Sequence, residues 1–152
     1  HDAAVRVLTQ GMLDLGLIDK AEYPTLDDAI ARRAYFPFYM HRTSHWLGMD
    51  VHDCGSYVEP SEVGQISERT DPLSGEIIKD RPSRLLRAGM VLTIEPGIYV
   101  RPDEKVPKDF WNIGIRIEDD AIVTDEPRFN GCELITRDVP VAPAAIEALM
   151  AD

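Results

Sequence analysis

Residues 112–118, "NIGIRIE", alternate strictly: Ile113, Ile115 and Ile117 against Gly114, Arg116 and Glu118. A helix cannot use that pattern, whereas a strand points successive side chains to opposite faces and turns it into one apolar and one polar side. The isoleucines are therefore expected to face the core. The whole of 112–124, "NIGIRIEDDAIVT", reads as two strands joined by a tight turn at Asp119-Asp120. Just before it, "MVLTIEPGIYV" (90–100) reads as a strand, a Pro96-Gly97 break and a second strand, and "CELIT" (132–136) can add another.

Ahead of these strands the period is helical. Residues 3–18 set Ala4, Val5, Leu8, Met12 and Leu15 on one side. A second helix is expected from Thr25 to about Phe36, with Thr25 as cap, Asp27 and Asp28 at its positive end and Pro37 as its stop. "APAAIEALMAD" closes the chain as a helix. Residues 54–88 mix Gly, Pro, Ser and charge, with Ile77-Ile78 and Leu85-Leu86 as anchors, and suggest a long excursion such as an extended hairpin. Helices followed by antiparallel strands give an α+β class, and 152 residues suit a single cored domain.

A net charge of −11 and a pI near 4.7 argue against nucleic acid or an anionic membrane surface as partner, because both require a basic patch. No apolar run approaches the ~18 residues of a membrane span, and no signal peptide is visible. Cys54 and Cys132 fall in no metal-binding spacing and read as small buried hydrophobes, and their scarcity fits a cytoplasmic location. The first residue is His1 rather than Met, within a helical pattern, so the start is expected to be a cut.

The polar faces of the strands carry the chemistry. Glu95 shares a face with Thr93, and Glu118 shares one with Arg116. If the strands lie in one sheet, the two glutamates can converge on a polar pocket. Each alone is most simply a solvated strand end, and Arg116 alone a weak surface ion pair. Brought together, two carboxylates repel unless a proton, a cation or an arginine stands between them, and a divalent metal resolves this most strongly. Three of the four histidines sit in "HRTSHWLGMDVHD" (41–53), at His41, His45 and His52. The zincin pattern requires Glu directly after the first His, on a helix. Here that place holds Arg42, and Thr43-Ser44 and Gly48 do not suit an unbroken helix. Spacing alone leaves each histidine open as ligand, proton carrier or structural residue.

Taken together and in this order, "HRTSHWLGMDVHD", "GMVLTIEPGIYV" and "IGIRIEDDAIVT" resemble the Xaa-Pro aminopeptidases (aminopeptidase P) of the pita-bread metallopeptidase fold. The resemblance runs from the first helix to about Thr136 and fits aminopeptidase P better than prolidase, creatinase or methionine aminopeptidase. It implies the second half of a pita-bread (creatinase/aminopeptidase) fold, an antiparallel curved sheet with helices on its outer face. It implies two metal ions, commonly Mn2+, held in the family by two Asp, one His and two Glu, a set rich in hard oxygen ligands. Three of those positions match His45, Glu95 and Glu118 in this sequence. The matches to His41 and His52 handle the substrate near the scissile bond and help stabilise the tetrahedral intermediate, and the match to Arg116 orients a carboxylate ligand. The implied reaction is attack of a metal-bridging hydroxide on the carbonyl before proline, with Glu95 relaying the proton. Trp46 is either a contributor to the proline pocket or a core residue.

The family's two Asp ligands lie upstream of the first helix, and neither Asp2 nor Asp14 replaces them. Residues 1–152 thus resemble the C-terminal portion of a catalytic domain, without the N-terminal domain and the first half. Residues 57–84, longer than the usual connection, read as a surface insertion. The expected partners are peptides with proline at the second position, the complementary N-terminal portion of the same protein, and further copies in a homo-oligomer, because an exposed sheet edge invites association. The chain alone is expected to be inactive or nearly so. The alternatives are a prolidase, restricted to dipeptides, and a non-catalytic pita-bread binding module.

Overall fold

Helix α1, Asp2–Asp14, is the first element of the computed structural model, which describes residues 1–59, 61, 66–71, 74–80 and 82–151. Val5, Met12 and Leu13 are buried along it, and Leu15 is exposed rather than buried as its spacing predicts. The reason lies at the helix end. Gly16 takes a positive φ of 71°, and the N–H of Leu17 turns back to the Met12 carbonyl at 2.9 Å. This left-handed cap reverses the chain and buries Leu17 and Ile18 in place of Leu15.

Helix α2, Leu26–Ala31, begins where expected, with the Thr25 hydroxyl accepting the Asp28 N–H at 3.1 Å. It stops well short of Phe36. Arg33 adopts the left-handed conformation (φ 54°), and the Ala34 N–H bonds the Ala29 carbonyl, again capping the helix early. No glycine marks this end in the sequence, so the stop is invisible there.

The strands pair antiparallel throughout: β1 (Ser67–Thr70) with β2 (Ile77–Asp80), β3 (Val91–Ile94) with β6 (Asp119–Val123), β4 (Gly97–Tyr99) with β5 (Gly114–Arg116), and β6 with β7 (Cys132–Leu134). Helix α3, Pro143–Leu149, follows. Antiparallel sheets with few helices make this an α+β fold. The break at Pro96-Gly97 separates β3 from β4 as predicted, and the expected hairpin in the 54–88 excursion is β1–β2. Its anchors Ile77, Leu85 and Leu86 are exposed, and only Ile78 is half-buried.

The turn expected at Asp119-Asp120 is not there. Both residues open β6, opposite Ile94 and Thr93. β5 and β6 are therefore not a hairpin, since each pairs with a strand of the 90–100 stretch instead. Ile113, Ile115 and Ile117 are also exposed, at 40, 57 and 54%. Alternation predicts an apolar face; it does not supply an element to cover it.

Two compact units emerge. The first, residues 1–43, 55–85 and 96–116, holds α1, α2, β1–β2 and β4–β5 around a core of Val5, Met12, Leu17, Phe38, Tyr39 and Val100. The second, residues 44–54, 86–95 and 117–152, holds the β3-β6-β7 sheet and α3. Among the described residues no helix is long and apolar enough to cross a membrane. Both cysteines are free; Cys54 is exposed, against the burial expected, and Cys132 is half-buried.

Candidate metal centre

The second unit gathers three of the predicted residues. One potential ligand atom each from His45, Glu95 and Glu118 lies within 4.8 Å of the others. The strand ladder brings the glutamates together: Ile94 pairs with Asp119 at the end of β3–β6, and Glu95 and Glu118 are the next residue on each strand beyond that pair. Glu95 is buried and Glu118 exposed.

His45 arrives from the other side of β3. Residues 45–47 run antiparallel to it, with Trp46 opposite Leu92 and the Leu47 N–H on the Val91 carbonyl at 3.3 Å. The His45 carbonyl accepts the Thr93 N–H at 3.0 Å. The ring's Nδ1 lies 2.9 Å from the Trp46 carbonyl, which can only accept, so the ring proton sits on Nδ1. The Nε2 lone pair is thereby presented to Glu95 Oε1, 3.4 Å away. Two acceptors face each other there, and a proton or a cation must stand between them.

The donor set therefore fits a divalent metal. Two carboxylate charges about 5 Å apart repel by about 1–3 kcal/mol between aqueous and surface-like dielectric. A neutral imidazole nitrogen beside them lowers that repulsion little, whereas a cation reverses its sign. One nitrogen and two carboxylates suit manganese or zinc equally in kind.

His52 stands on the return arm of a tight turn. Leu47 and His52 bridge, the Gly48 N–H bonds the Val51 carbonyl at 3.0 Å, and the Asp53 N–H bonds the Trp46 carbonyl at 3.0 Å. This places the exposed His52 ring 4.1 Å, centroid to centroid, from that of His45. Trp46 is half-buried.

His41 and Arg116 belong to the first unit and share one neighbour there, which the sequence does not single out. Arg116 Nε donates to the Tyr99 hydroxyl at 2.6 Å, and that hydroxyl lies 3.1 Å from His41 Nε2. His41 Nδ1 is 2.7 Å from the Arg42 carbonyl and so carries the ring proton; Nε2 accepts from Tyr99. Gly97 makes room for this: a Cβ there would meet the Tyr99 hydroxyl at 2.7 Å. The available signal was Gly97 itself, two residues before Tyr99 on β4. His41 also opens on a cleft of about 1270 Å³ lined in part by Tyr35, Phe36, Tyr39, Met40 and Arg42.

Comparison with known proteins gives a consistent picture. Residues 1–125 match metallopeptidase family M24. The chain is 44% identical over 146 residues to an Xaa-Pro aminopeptidase of Escherichia coli K12, covering 96% of this chain and 26% of that protein. Among solved structures, the Pseudomonas aeruginosa aminopeptidase PepP superimposes with a TM-score of 0.73 at 45% identity, covering 99% of this chain and 28% of that one. Escherichia coli aminopeptidase P with the inhibitor Pro-Leu gives 0.70 at 42% identity, covering 97% and 27%. The chain thus spans little more than a quarter of the relatives it matches.

Proposed function

The chain belongs to metallopeptidase family M24, with the pita-bread fold of aminopeptidase P, and from that premise we propose that the intact protein is a metal-dependent aminopeptidase cleaving the bond before a proline at the second position. The observation that carries the reading is the convergence of His45, Glu95 and Glu118 within 4.8 Å. These three would hold the metal, which we take to be Mn2+ on the family resemblance, since the donor set itself suits manganese and zinc alike. A cation bound there supplies a polarised carbonyl and an acidified water at neutral pH.

The remaining steps fall to side chains. Glu95 takes a proton from the attacking water and passes it to the departing proline nitrogen as the C–N bond breaks. His52 hydrogen-bonds the peptide beside the scissile bond and steadies the developing oxyanion, while His41, its ring proton held on the Arg42 carbonyl, meets the peptide as an acceptor through Nε2 in place of the Tyr99 hydroxyl. Arg116 orients a carboxylate ligand. Trp46 lends its ring to the proline pocket. The two further Asp ligands, on this reading, come from the complementary N-terminal portion; the described residues of 57–84 (57–59, 61, 66–71, 74–80 and 82–84) belong to an insertion; the assembly is a homo-oligomer in the cytoplasm.

The test uses the intact protein, a tripeptide and a dipeptide with proline second, and a chelator. Hydrolysis of the tripeptide, lost on chelation and restored by Mn2+, is the expected result, and Glu118→Gln should lower kcat at least about 100-fold. Cleavage of the dipeptide alone would make it a prolidase. Metal-free protein that hydrolyses neither would make it a binding module.

A further inference from the structure

Thr93 is 1% exposed and is among the largest fully buried side chains, although it carries a hydroxyl. Both hydrogen-bonding directions of that hydroxyl are used on the candidate ligands. It accepts the backbone N–H of His45 at 3.1 Å and donates its proton to Glu95 Oε1 at 3.1 Å. The Thr93 backbone N–H meanwhile donates to the His45 carbonyl at 3.0 Å. One residue in the middle of β3 therefore clasps the backbone of one ligand from both sides and the carboxylate of another.

Building on the metal-site reading above, we propose that Thr93 is the positioning residue of the metal centre, setting the carboxylate rotation of Glu95 and the approach of His45 through a single oxygen. Strand geometry makes this possible. Thr93 and Glu95 are two apart and share a face, so the hydroxyl reaches its neighbour's carboxylate without leaving the ladder. A glutamate has three side-chain torsions and loses appreciable rotamer freedom when it binds an ion. A buried hydroxyl that donates to Oε1 removes part of that freedom before the ion arrives and leaves the carboxylate's remaining lone pairs for coordination. The Trp46 carbonyl does the matching work on the imidazole by holding the proton on Nδ1.

The proposal separates the hydroxyl from the methyl group. Thr93→Val keeps the branched shape and loses the hydroxyl; Thr93→Ser keeps the hydroxyl and loses the methyl. In the intact protein, the dissociation constant for Mn2+ is read by competition with a fluorescent chelator, alongside thermal unfolding of the metal-free form. Affinity should follow the hydroxyl: Thr93→Val weaker by roughly 10- to 100-fold, in the range seen for outer-shell partners of metal ligands, and Thr93→Ser close to wild type. Affinity that follows the methyl, or is the same in all three proteins while only the metal-free unfolding temperature changes, overturns the proposal. Should Thr93→Val fail to fold, Thr93→Ala against Thr93→Ser makes the same comparison. Wild-type protein that takes up no Mn2+ would overturn the metallopeptidase reading, and this proposal with it; tight uptake by wild type and Thr93→Val alike overturns this proposal alone.

Discussion

A methyl group at position 48 would lie 2.6 Å from the Asp53 nitrogen and from the His52 carbonyl carbon, both backbone atoms that cannot swing aside. Gly48→Ala must therefore open the turn that carries His52 over His45. We expect it to cost about 1–3 kcal/mol in denaturant unfolding and, because the strain is applied at His52, to reduce hydrolysis more than folding. Activity retained in proportion to folded protein would count against that. From the sequence, Gly48 marks a break and nothing more; the close approach depends on the Leu47–His52 bridge. The same limit applied to the ligands. Period two put Thr93 on the face of Glu95, which the structure bears out, but the tautomer of His45 depends on where the Trp46 carbonyl points.

At the scale of elements, capping decides how well the chain can be read. Thr25 announces the start of α2 by residue type, and its hydroxyl accepts the Asp28 N–H. Thr25→Ala should cost about 1 kcal/mol in chemical unfolding of the intact protein, whereas Thr25→Ser should cost less, since it preserves the acceptor. Equal losses for the two would point to the methyl group instead. The helix end was not readable because Arg33 takes a left-handed conformation that glycine usually signals. The strands show a related division. The Pro96-Gly97 break could be read from residue type, whereas the supposed turn at Asp119-Asp120 failed because pairing partners are set by the whole sheet. Those two aspartates lie in the β3–β6 ladder, and their placement there brings Glu118 opposite Glu95. The misplaced turn and the convergence of the glutamates therefore follow from one register.

For the whole molecule, the exposed isoleucines are the most informative departure. Ile113, Ile115 and Ile117 alternate as an inward face should, yet each is at least 40% open in this chain. Burying such side chains is worth about 1.5–3 kcal/mol each, and short strands such as Gly114–Arg116 leave unpaired backbone at a sheet edge. On the proposed reading the complementary portion of the protein covers this surface and supplies the two further ligands of the metal pair. The 152-residue chain prepared alone should then self-associate and hydrolyse Xaa-Pro peptides poorly, since His45, Glu95 and Glu118 are three of five expected ligands. Light scattering and a tripeptide assay on the same sample check both halves. A monodisperse monomer with robust, chelator-sensitive turnover would mean that the isoleucine face needs no cover and that three ligands suffice. Self-association without activity, relieved by Ile115→Lys but with hydrolysis still absent, would assign the apolar face and the incomplete ligand set to separate causes, as the reading requires.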